Sequence, residues 1–219
     1  VRGADELSLR VSVATGEITA LPSKPGATVG GLPEHASVGP DAMLRETVAG
    51  VSLQVSAASF FQSGPHAAEL LVGTVRAACG DLLHRDALSL DAYGGIGLFA
   101  AALPMGRPVV VESSRSACAD AKVNVPSARV EQVPFERWKS RAVALAVVDP
   151  ARAGLGADGV RSVASANPSR VVLVSCDPVS LARDSVLLGE SGYAHRGSQV
   201  LDLFPHTAHV EVVTVFDKL

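Results

Sequence analysis

Short stretches of alternating apolar and polar residues dominate the first part of the chain. Leucine or valine occupies every second position at Leu7, Leu9, Val11 and Val13, and the residues between them are polar. This period of two predicts a strand with one face buried and the other in water. A turn at residues 15–17 leads into a second short run at residues 18–20, which predicts a second strand.

Another pair of strands is predicted around Ala49-Gly50, because the segments at residues 46–48 and 51–55 flank this turn dipeptide as in a hairpin. Residues 21–40 are rich in Gly, Pro and Ser and predict a loop. Two hairpins are too few to form a stable sheet alone. We therefore expect residues 1–58 to be a small β-rich segment, the remnant of a central domain, that leans on the rest of the chain. A chain that enters a strand at once from Val1 also indicates a fragment of a longer protein.

From residue 59 the pattern changes to helices alternating with apolar runs. Residues 65–79 predict a helix, since Ala68, Leu71 and Val75 recur at helical spacing. Six strands are predicted at residues 87–93, 108–112, 128–133, 142–149, 170–175 and 210–216. Strands that alternate with helices favour a parallel sheet covered on both faces.

One more strand, at residues 198–203, precedes the last one and is joined to it by the short connection 204–207. So short a link fits an antiparallel pair better than a crossover. For residues 59–219 we therefore predict an α/β, Rossmann-like fold, a mostly parallel seven-stranded sheet with one antiparallel strand.

Composition narrows the class of protein. Of the 219 residues, 47% are hydrophobic and 19% are charged, which is ample for a buried core. No apolar run approaches the roughly 20 residues that cross a bilayer, and the first ten residues lack a signal-peptide pattern. We expect a cytoplasmic protein without a membrane partner. The formal net charge of −3 is unlike that of most nucleic-acid binders, so it either counts against a nucleic-acid substrate or indicates that a surface for binding one is local or lies elsewhere.

The three cysteines are Cys79, Cys118 and Cys176. Their wide spacing fits neither a disulfide framework nor a metal site, so we expect no metal and no iron–sulfur cluster in this chain. Cys79 lies on a predicted helical face, and we interpret Cys79 and Cys118 as structural residues.

A glycine-rich loop closes the first strand of the predicted sheet. Gly95 and Gly97 lie in the sequence DAYGGIGLFA, where glycines let the backbone turn sharply and let a ligand approach it. Glu112 ends the next strand, 17 residues after Gly95, where a carboxylate can accept hydrogen bonds from ribose hydroxyls. The same pattern occurs in dinucleotide-binding proteins, and a tight turn followed by an exposed Glu is the structural alternative.

Four further segments accompany this loop in a fixed order. They are FFQ at residues 60–62, VDPARAGL at 148–155, VSCDPVSLARD at 174–184 and DLFPHTAHVE at 202–211. With the glycine loop, they resemble the RNA 5-methyluridine methyltransferase family over residues 46–219. The resemblance implies a class I fold that binds S-adenosyl-L-methionine and methylates carbon 5 of uridine in transfer or ribosomal RNA.

The resemblance also implies roles for individual residues. Cys176 matches the nucleophile and Glu211 the general base. Residues that match positions contacting S-adenosyl-L-methionine are Gln62, Tyr93, Glu112 and Asp149. Asp149 matches a position that also faces the target base. Two departures are Gly94, where many members have Cys or Ser, and Leu98, where some have an Asn that contacts the cofactor.

The residues themselves support the two catalytic assignments. Cys176 ends a strand before Asp177-Pro178, a predicted N-cap and first helical position. A helix N-terminus favours the thiolate, whereas the Asp177 carboxylate opposes it. Glu211 lies in an apolar strand, where partial desolvation predicts a raised pKa that suits a base. The alternatives are an inert buried Cys and an edge-strand carboxylate in water.

Three functions remain open from the sequence. The favoured one is an RNA uracil-5-methyltransferase with a covalent Cys–uracil intermediate. An NAD-dependent oxidoreductase would use the same glycine loop but leaves the Cys176 and Glu211 motifs unexplained. A non-catalytic fragment that binds the cofactor but lacks an RNA-binding module is the third. Arg152 is either a phosphate contact or an ordinary surface residue, and His206 and His209 receive no assignment.

Overall fold

A computed structural model of the chain describes residues 1–62, 64–84, 86–204, 206–207 and 209–219, without the side chains of residues 65 and 84. Positions 205 and 208 of the fourth motif therefore lie outside the described residues. The strands before the first helix are β1 (Leu7–Val11), β2 (Ile18–Pro22), β3 (Ser37–Val38), β4 (Met43–Val48) and β5 (Val51–Ser56). The later strands are β6 (Leu88–Ala92), β7 (Arg107–Glu112), β8 (Arg129–Gln132), β9 (Leu145–Val148), β10 (Arg170–Ser175), β11 (Tyr193–Leu201) and β12 (Glu211–Lys218).

Five α-helices connect and cover these strands. They are α1 (Pro65–Cys79), α2 (Leu98–Ala102), α3 (Arg115–Asn124), α4 (Gly156–Ala166) and α5 (Pro178–Glu190). Two short 3₁₀ turns lie at Gly80–His84 and Phe135–Arg137. None of the helices in the described part of the chain is long and apolar enough to cross a membrane.

The seven strands β6–β12 form one sheet in the order β11-β12-β10-β9-β6-β7-β8. The pairs among β6–β10 are parallel, whereas β12 runs antiparallel to both of its neighbours. This confirms the predicted sheet with its single antiparallel strand. The prediction for β11 was wrong in its bounds, because the strand starts at Tyr193 rather than Ser198 and contains an irregularity between His195 and Gly197.

Hydrophobic side chains cover both faces of this sheet. In β10, Val172 and Val174 pack in the cluster formed with α1, α2 and α3, whereas Val171 and Leu173 pack in the cluster formed with α4 and α5. A strand buried on both faces has no polar alternation, which is why β10 is a continuous apolar run in the sequence. The result is a three-layer arrangement of helices, sheet and helices.

The predicted hairpin around Ala49-Gly50 is present as β4 and β5. Both turn residues have positive φ, 51° and 79°, as a two-residue hairpin turn of this kind requires. Leu44 and Leu53 from the hairpin are buried in the same cluster as α1 and α3. The division at residue 58 marks the change from β-rich to alternating helix–strand pattern in the sequence. One hydrophobic cluster nevertheless includes residues from both sides of this division.

A buried carboxylate fixes the hairpin to α3. Asp120 accepts hydrogen bonds from the Gln54 side chain, from the Ser56 backbone and hydroxyl, and from the Ser59 hydroxyl, at 2.7–3.0 Å. Its side chain is completely buried. Asn124 adds two bonds to the backbone of Gln54. These contacts join the β4–β5 hairpin and the residues after it to α3.

The small sheet β1-β2-β3 has the opposite orientation to the one that the sequence pattern predicts. Its polar side faces the protein, where Arg10 donates to the carbonyls of Ser56 and Ser59. Leu9 and Val11 on the other face are 56% and 58% exposed. The strand was predicted correctly, but its apolar face is not buried in this structure.

Candidate active site

A cavity of about 580 Å³ lies at the carboxyl ends of β6, β7, β9 and β10, where ligands bind in open α/β sheets. Its wall combines residues far apart in the sequence. Seven of the eight predicted site residues line it: Gln62, Tyr93, Gly95, Glu112, Asp149, Cys176 and Glu211. The structure therefore brings together the glycine loop and the two proposed catalytic residues.

Gly97 is the predicted site residue that does not line this cavity in the described structure. It is the N-cap of α2, with φ of 82°, and a Cβ there would lie 3.0 Å from Val125 Cγ2. Gly97 therefore serves close packing of the turn against α3. Its predicted contact with a cofactor stays a prediction.

Gly95 faces the cavity with its backbone. Its φ is 53°, and no described atom beyond its chain neighbours lies within 4 Å of the position that a Cβ would occupy. A side chain there would project into the cavity, so glycine leaves the backbone accessible to a ligand.

Gly94 has the opposite surroundings. A Cβ at Gly94 would lie 2.8 Å from Val110 Cγ1 and 3.0 Å from Asp91 Cγ. The packing of this chain thus explains the glycine at position 94.

Glu112 connects the glycine loop with the start of α3. Oε2 accepts a hydrogen bond from the Gly95 backbone at 3.1 Å, and Oε1 accepts from the backbone of Ser113 and Ser114, each at 2.7 Å. The spacing of 17 residues therefore does place this carboxylate at the glycine loop. Its oxygens keep lone pairs for further donors such as hydroxyl groups.

Tyr93 adopts a left-handed backbone conformation with φ of 56°, which is unusual for a large side chain. Its hydroxyl donates to Glu136 at 2.5 Å, and its ring packs against Phe135 at a centroid distance of 5.2 Å. Both contacts hold the ring in the cavity wall and fix the start of the glycine loop.

Two further carboxylates lie under the cavity. Burial raises the pKa of Asp91 to about 7, although Oδ2 accepts a hydrogen bond from the Ala100 backbone. Burial, followed by the charges of Glu211 and Asp91, raises the pKa of Asp149 well above its usual value. The floor of the cavity therefore holds carboxyl groups that take up protons readily.

Cys176 lies at the junction between β10 and α5 and is partly exposed to the cavity. Asp177 is the N-cap of α5, accepting from the Ser180 backbone at 2.7 Å, and Pro178 follows it, as predicted. Burial and then the charge of Glu211 raise the pKa of the Cys176 thiol, while Arg152 acts in the opposite direction. These causes are burial and Glu211 rather than Asp177, and they favour the neutral thiol.

Glu211 is the first residue of β12 and is only 4% exposed. Burial raises its pKa to about 7, which confirms the raised value expected from the sequence. The β10–β12 register ends at Ser175 opposite Val212. The next residues along the two strands are Cys176 and Glu211, so the antiparallel pair brings the thiol and the carboxylate together.

Several lining residues had no role predicted from the sequence. Phe60 is 76% exposed at the cavity, and Phe204 packs edge-on against His209 at 6.3 Å. The Arg152 guanidinium approaches His209 Nε2 at 3.5 Å. An exposed aromatic residue such as Phe60 offers a surface on which a nucleobase can stack. The FFQ motif was the available signal for Phe60, and the motif at residues 202–211 was the signal for His209, which received no role from the sequence.

The other two cysteines do not line the cavity in the described structure, although the Cys118 thiol donates to the Glu112 carbonyl at 3.4 Å. Cys79 and Cys118 are both buried, and burial raises the pKa of Cys79 to about 12. Across the residues that the structure describes, no group of three or more His, Cys, Asp or Glu side chains could hold a metal ion.

The chain is similar to curated RNA methyltransferases. It is 37% identical over 186 residues to a protein of Streptomyces coelicolor named as an RNA methyltransferase, covering 80% of this chain and 40% of that protein. A protein of the same description from Caldanaerobacter subterraneus is 33% identical over 185 residues, covering 80% and 41%. The chain thus spans about two fifths of the length of these relatives. No family model matches the chain.

A solved structure agrees with the sequence relatives. The Pyrococcus abyssi tRNA (uracil-54, C5)-methyltransferase, in complex with S-adenosyl-L-homocysteine, has a TM-score of 0.76 and 26% identity. The match covers 95% of this chain and 58% of that one. The fold is that of the class I, S-adenosylmethionine-dependent methyltransferases. The chain is thus similar in sequence to curated RNA methyltransferases and similar in fold to a tRNA uracil-C5 methyltransferase.

Proposed function

We propose that this chain catalyses transfer of a methyl group from S-adenosyl-L-methionine to carbon 5 of uridine in transfer or ribosomal RNA. The observation that carries the proposal is the position of Cys176 beside Glu211 in the same cavity as the glycine loop. An NAD-dependent oxidoreductase would leave this pair without a purpose.

The residues of the cavity fit the cofactor. The open backbone at Gly95 and the carboxylate of Glu112 suit a nucleoside, and the buried side chains of Ile96, Phe99 and Ala117 offer an apolar surface. A volume of about 580 Å³ is within the range of small-molecule sites. Gln62, Tyr93 and Asp149 complete the proposed cofactor contacts. When bound, S-adenosyl-L-methionine supplies an electrophilic methyl group.

The nucleophile overcomes the low reactivity of uracil. Carbon 5 of uracil is a poor nucleophile until the Cys176 thiolate adds to carbon 6. The new carbon–sulfur bond pushes the pair of electrons from the ring double bond onto carbon 5, as an enolate with the carbonyl at carbon 4. The carbon 5 electron pair would then form the bond to the methyl group that S-adenosyl-L-methionine supplies, and the broken sulfur–methyl bond would leave its electron pair on S-adenosyl-L-homocysteine.

Glu211 completes the reaction as a base. It removes the proton from carbon 5, the electrons of that bond re-form the ring double bond, and the thiolate leaves carbon 6. The two steps make different demands on the carboxyl group. The addition of the Cys176 thiolate to carbon 6 is easier when Glu211 is neutral, because a second negative charge nearby would oppose the thiolate. Removal of the proton from carbon 5 needs the Glu211 anion. A pKa of about 7 provides both forms near neutral pH.

The experiment combines the chain, S-adenosyl-L-methionine with a labelled methyl group, and unmodified transfer or ribosomal RNA. We expect labelled 5-methyluridine in the nucleoside digest, and none with Cys176→Ala. Label in another nucleoside, or saturable binding of NAD without binding of S-adenosyl-L-methionine, would refute the proposal. Binding of S-adenosyl-L-methionine without methyl transfer would favour a non-catalytic fragment, since the chain spans only part of its relatives.

A further inference from the structure

The loop after β9 is held in place by α5, the helix that begins beside Cys176. Asp184, in the second turn of α5, is 1% exposed. Its Oδ2 accepts a hydrogen bond from the Leu155 backbone at 2.6 Å, and its Oδ1 accepts one from the Gly156 backbone at 3.0 Å. The loop therefore ends on a carboxylate that belongs to another helix.

Arg183 strengthens this attachment. Its Nη2 donates to the Ala153 carbonyl at 2.6 Å, and its Nε and Nη2 donate to Asp184 Oδ1 at 2.9 and 2.7 Å. The guanidinium thus joins the buried carboxylate to the loop backbone. Such charge-assisted bonds are stronger than neutral ones.

Gly154 shows how closely the loop and α5 approach. Its φ is 70°, and a Cβ there would collide with the Asp184 carboxylate and lie 2.7 Å from Arg183 Nη2 and 2.9 Å from Ser180 Cβ. Only glycine allows this contact.

The same carboxylate serves the N-terminus of α4. Leu155, the N-cap of α4, makes no side-chain capping bond in the described structure. Asp184 supplies the acceptor instead, and a negative charge there is favourable to the helix dipole. One side chain of α5 therefore fixes both the loop and the helix that follows it.

The attachment of the loop to α5 connects the chain segments that carry two residues of the cavity, Cys176 and Arg152. Cys176 precedes α5 directly, and Arg152 is in the loop that α5 holds. Among the described residues that line the cavity, Arg152 is the only Arg or Lys. The other charged or titratable groups around the thiol are Glu211 from β12, Asp149 and His209 in the cavity wall, and Asp177 on its own segment.

We propose that Asp184, together with Arg183, is a positioning residue that keeps the Arg152 guanidinium in the cavity that Cys176 also lines. The inference rests on the proposed role of Cys176 as the nucleophile. The sheet already fixes Asp149 and Ser175, because β9 and β10 are paired. Arg152 lies beyond the end of the strand, so its position depends on the attachment to α5.

The test follows the reactivity of Cys176 towards iodoacetamide as a function of pH, in the protein without RNA or cofactor. Alkylation of Cys176 is measured by peptide mass spectrometry, and its rate follows the thiolate fraction. We expect Asp184→Asn and Arg152→Gln each to slow alkylation at neutral pH by roughly three- to tenfold, the effect of losing one nearby positive charge. The double variant should be no slower than Arg152→Gln alone.

Asp158→Asn is the matched control, since this exposed residue lies in the first turn of α4 and its partner is Arg161. It should leave the profile unchanged. The proposal would be overturned if Asp184→Asn had the alkylation profile of the natural protein. It would also be overturned if the rate reductions of Asp184→Asn and Arg152→Gln multiplied in the double variant. If Asp184→Asn does not fold, Arg183→Gln removes the guanidinium bonds to the Ala153 carbonyl and to Asp184 but leaves the Asp184 carboxylate in place. It should shift the profile in the same direction, and no shift would overturn the proposal.

The assay also separates this inference from the proposed function. A shifted profile without methyl transfer to RNA would support the positioning of Arg152 while removing the catalytic role of Cys176. Methyl transfer to RNA together with an unshifted profile would support the catalytic role of Cys176 while removing the proposed positioning of Arg152.

Discussion

Cys176 and Glu211 lie opposite each other, one residue beyond Ser175 and Val212, the last register pair of β10 and β12. They are 35 residues apart in the sequence. The antiparallel strand of the sheet is the cause of their proximity, because an all-parallel sheet would place the start of β12 at the opposite edge from the end of β10. The antiparallel strand β12 thus brings the two residues of the proposed catalytic pair together.

Replacing Glu211 with Gln should trap the reaction before its last step. We expect product formation to fall by about 10²–10⁴-fold, the usual contribution of a general base. Addition of Cys176 and methylation remain possible, so a covalent complex with ordinary uridine should accumulate. Denaturing electrophoresis detects this complex. Glu190→Gln, an exposed change at the end of α5, should form no such complex; accumulation there would count against the assignment.

The same substitution should change how stability depends on pH. The pKa of Glu211 is about 7 in the folded protein and 4.5 for an ordinary Glu. Its raised pKa means that the contribution of Glu211 to stability is complete below about pH 4.5 and is lost as the pH rises to about 7. Glu211→Gln cannot ionise, so its stability relative to the natural protein should rise by about 3 kcal/mol over this window, at 1.36 kcal/mol per pKa unit.

Urea unfolding of both proteins at pH 4.5, 6 and 8 measures this difference. We expect the difference in free energy of unfolding to level off above pH 7. A constant difference across these pH values would show that Glu211 is not a desolvated carboxylate.

The glycine loop offers a test of cofactor binding. Gly95→Ala should cost about 1 kcal/mol of stability for its left-handed backbone, but its Cβ projects into the cavity. We therefore expect the affinity for S-adenosyl-L-methionine to fall at least tenfold in calorimetric titration. Gly16→Ala is the matched control, because its φ of 74° carries a similar cost far from the cavity. Equal affinities of the two variants would exclude Gly95 from the binding site.

Part of this architecture could be read from the sequence, and part could not. The bounds of α1 and β10 were predicted correctly, because helical spacing and an unbroken apolar run are local signals. The start of β11 was missed, since Tyr193–Arg196 precedes an irregularity and lacks a clear alternation. The attachment of Asp184 to the Leu155 backbone leaves no pattern in the sequence, because any backbone N–H can be its donor.

Replacement of Asp120 tests whether the β4–β5 hairpin unfolds together with the seven-stranded sheet and its helices. Asp120→Ala leaves the donors of Gln54, Ser56 and Ser59 without their acceptor, so we expect a loss of about 2–4 kcal/mol in the free energy of unfolding. Denaturant titration measures it. The exposed Asp41→Ala should change stability by less than about 0.5 kcal/mol. A hairpin that folds separately would instead give two transitions, with the second unchanged in Asp120→Ala.

The central claim is that Cys176 forms a covalent bond to carbon 6 of uracil, and RNA that contains 5-fluorouridine tests it most directly. Fluorine at carbon 5 cannot leave as a cation to Glu211, so the adduct should persist after methylation. The measurement is a protein–RNA complex that survives denaturing electrophoresis in the presence of S-adenosyl-L-methionine, with the modified peptide identified by mass spectrometry. We predict a stable complex through Cys176 that is absent in Cys176→Ala. A complex that persists in Cys176→Ala would contradict the account, because another residue would then be the nucleophile.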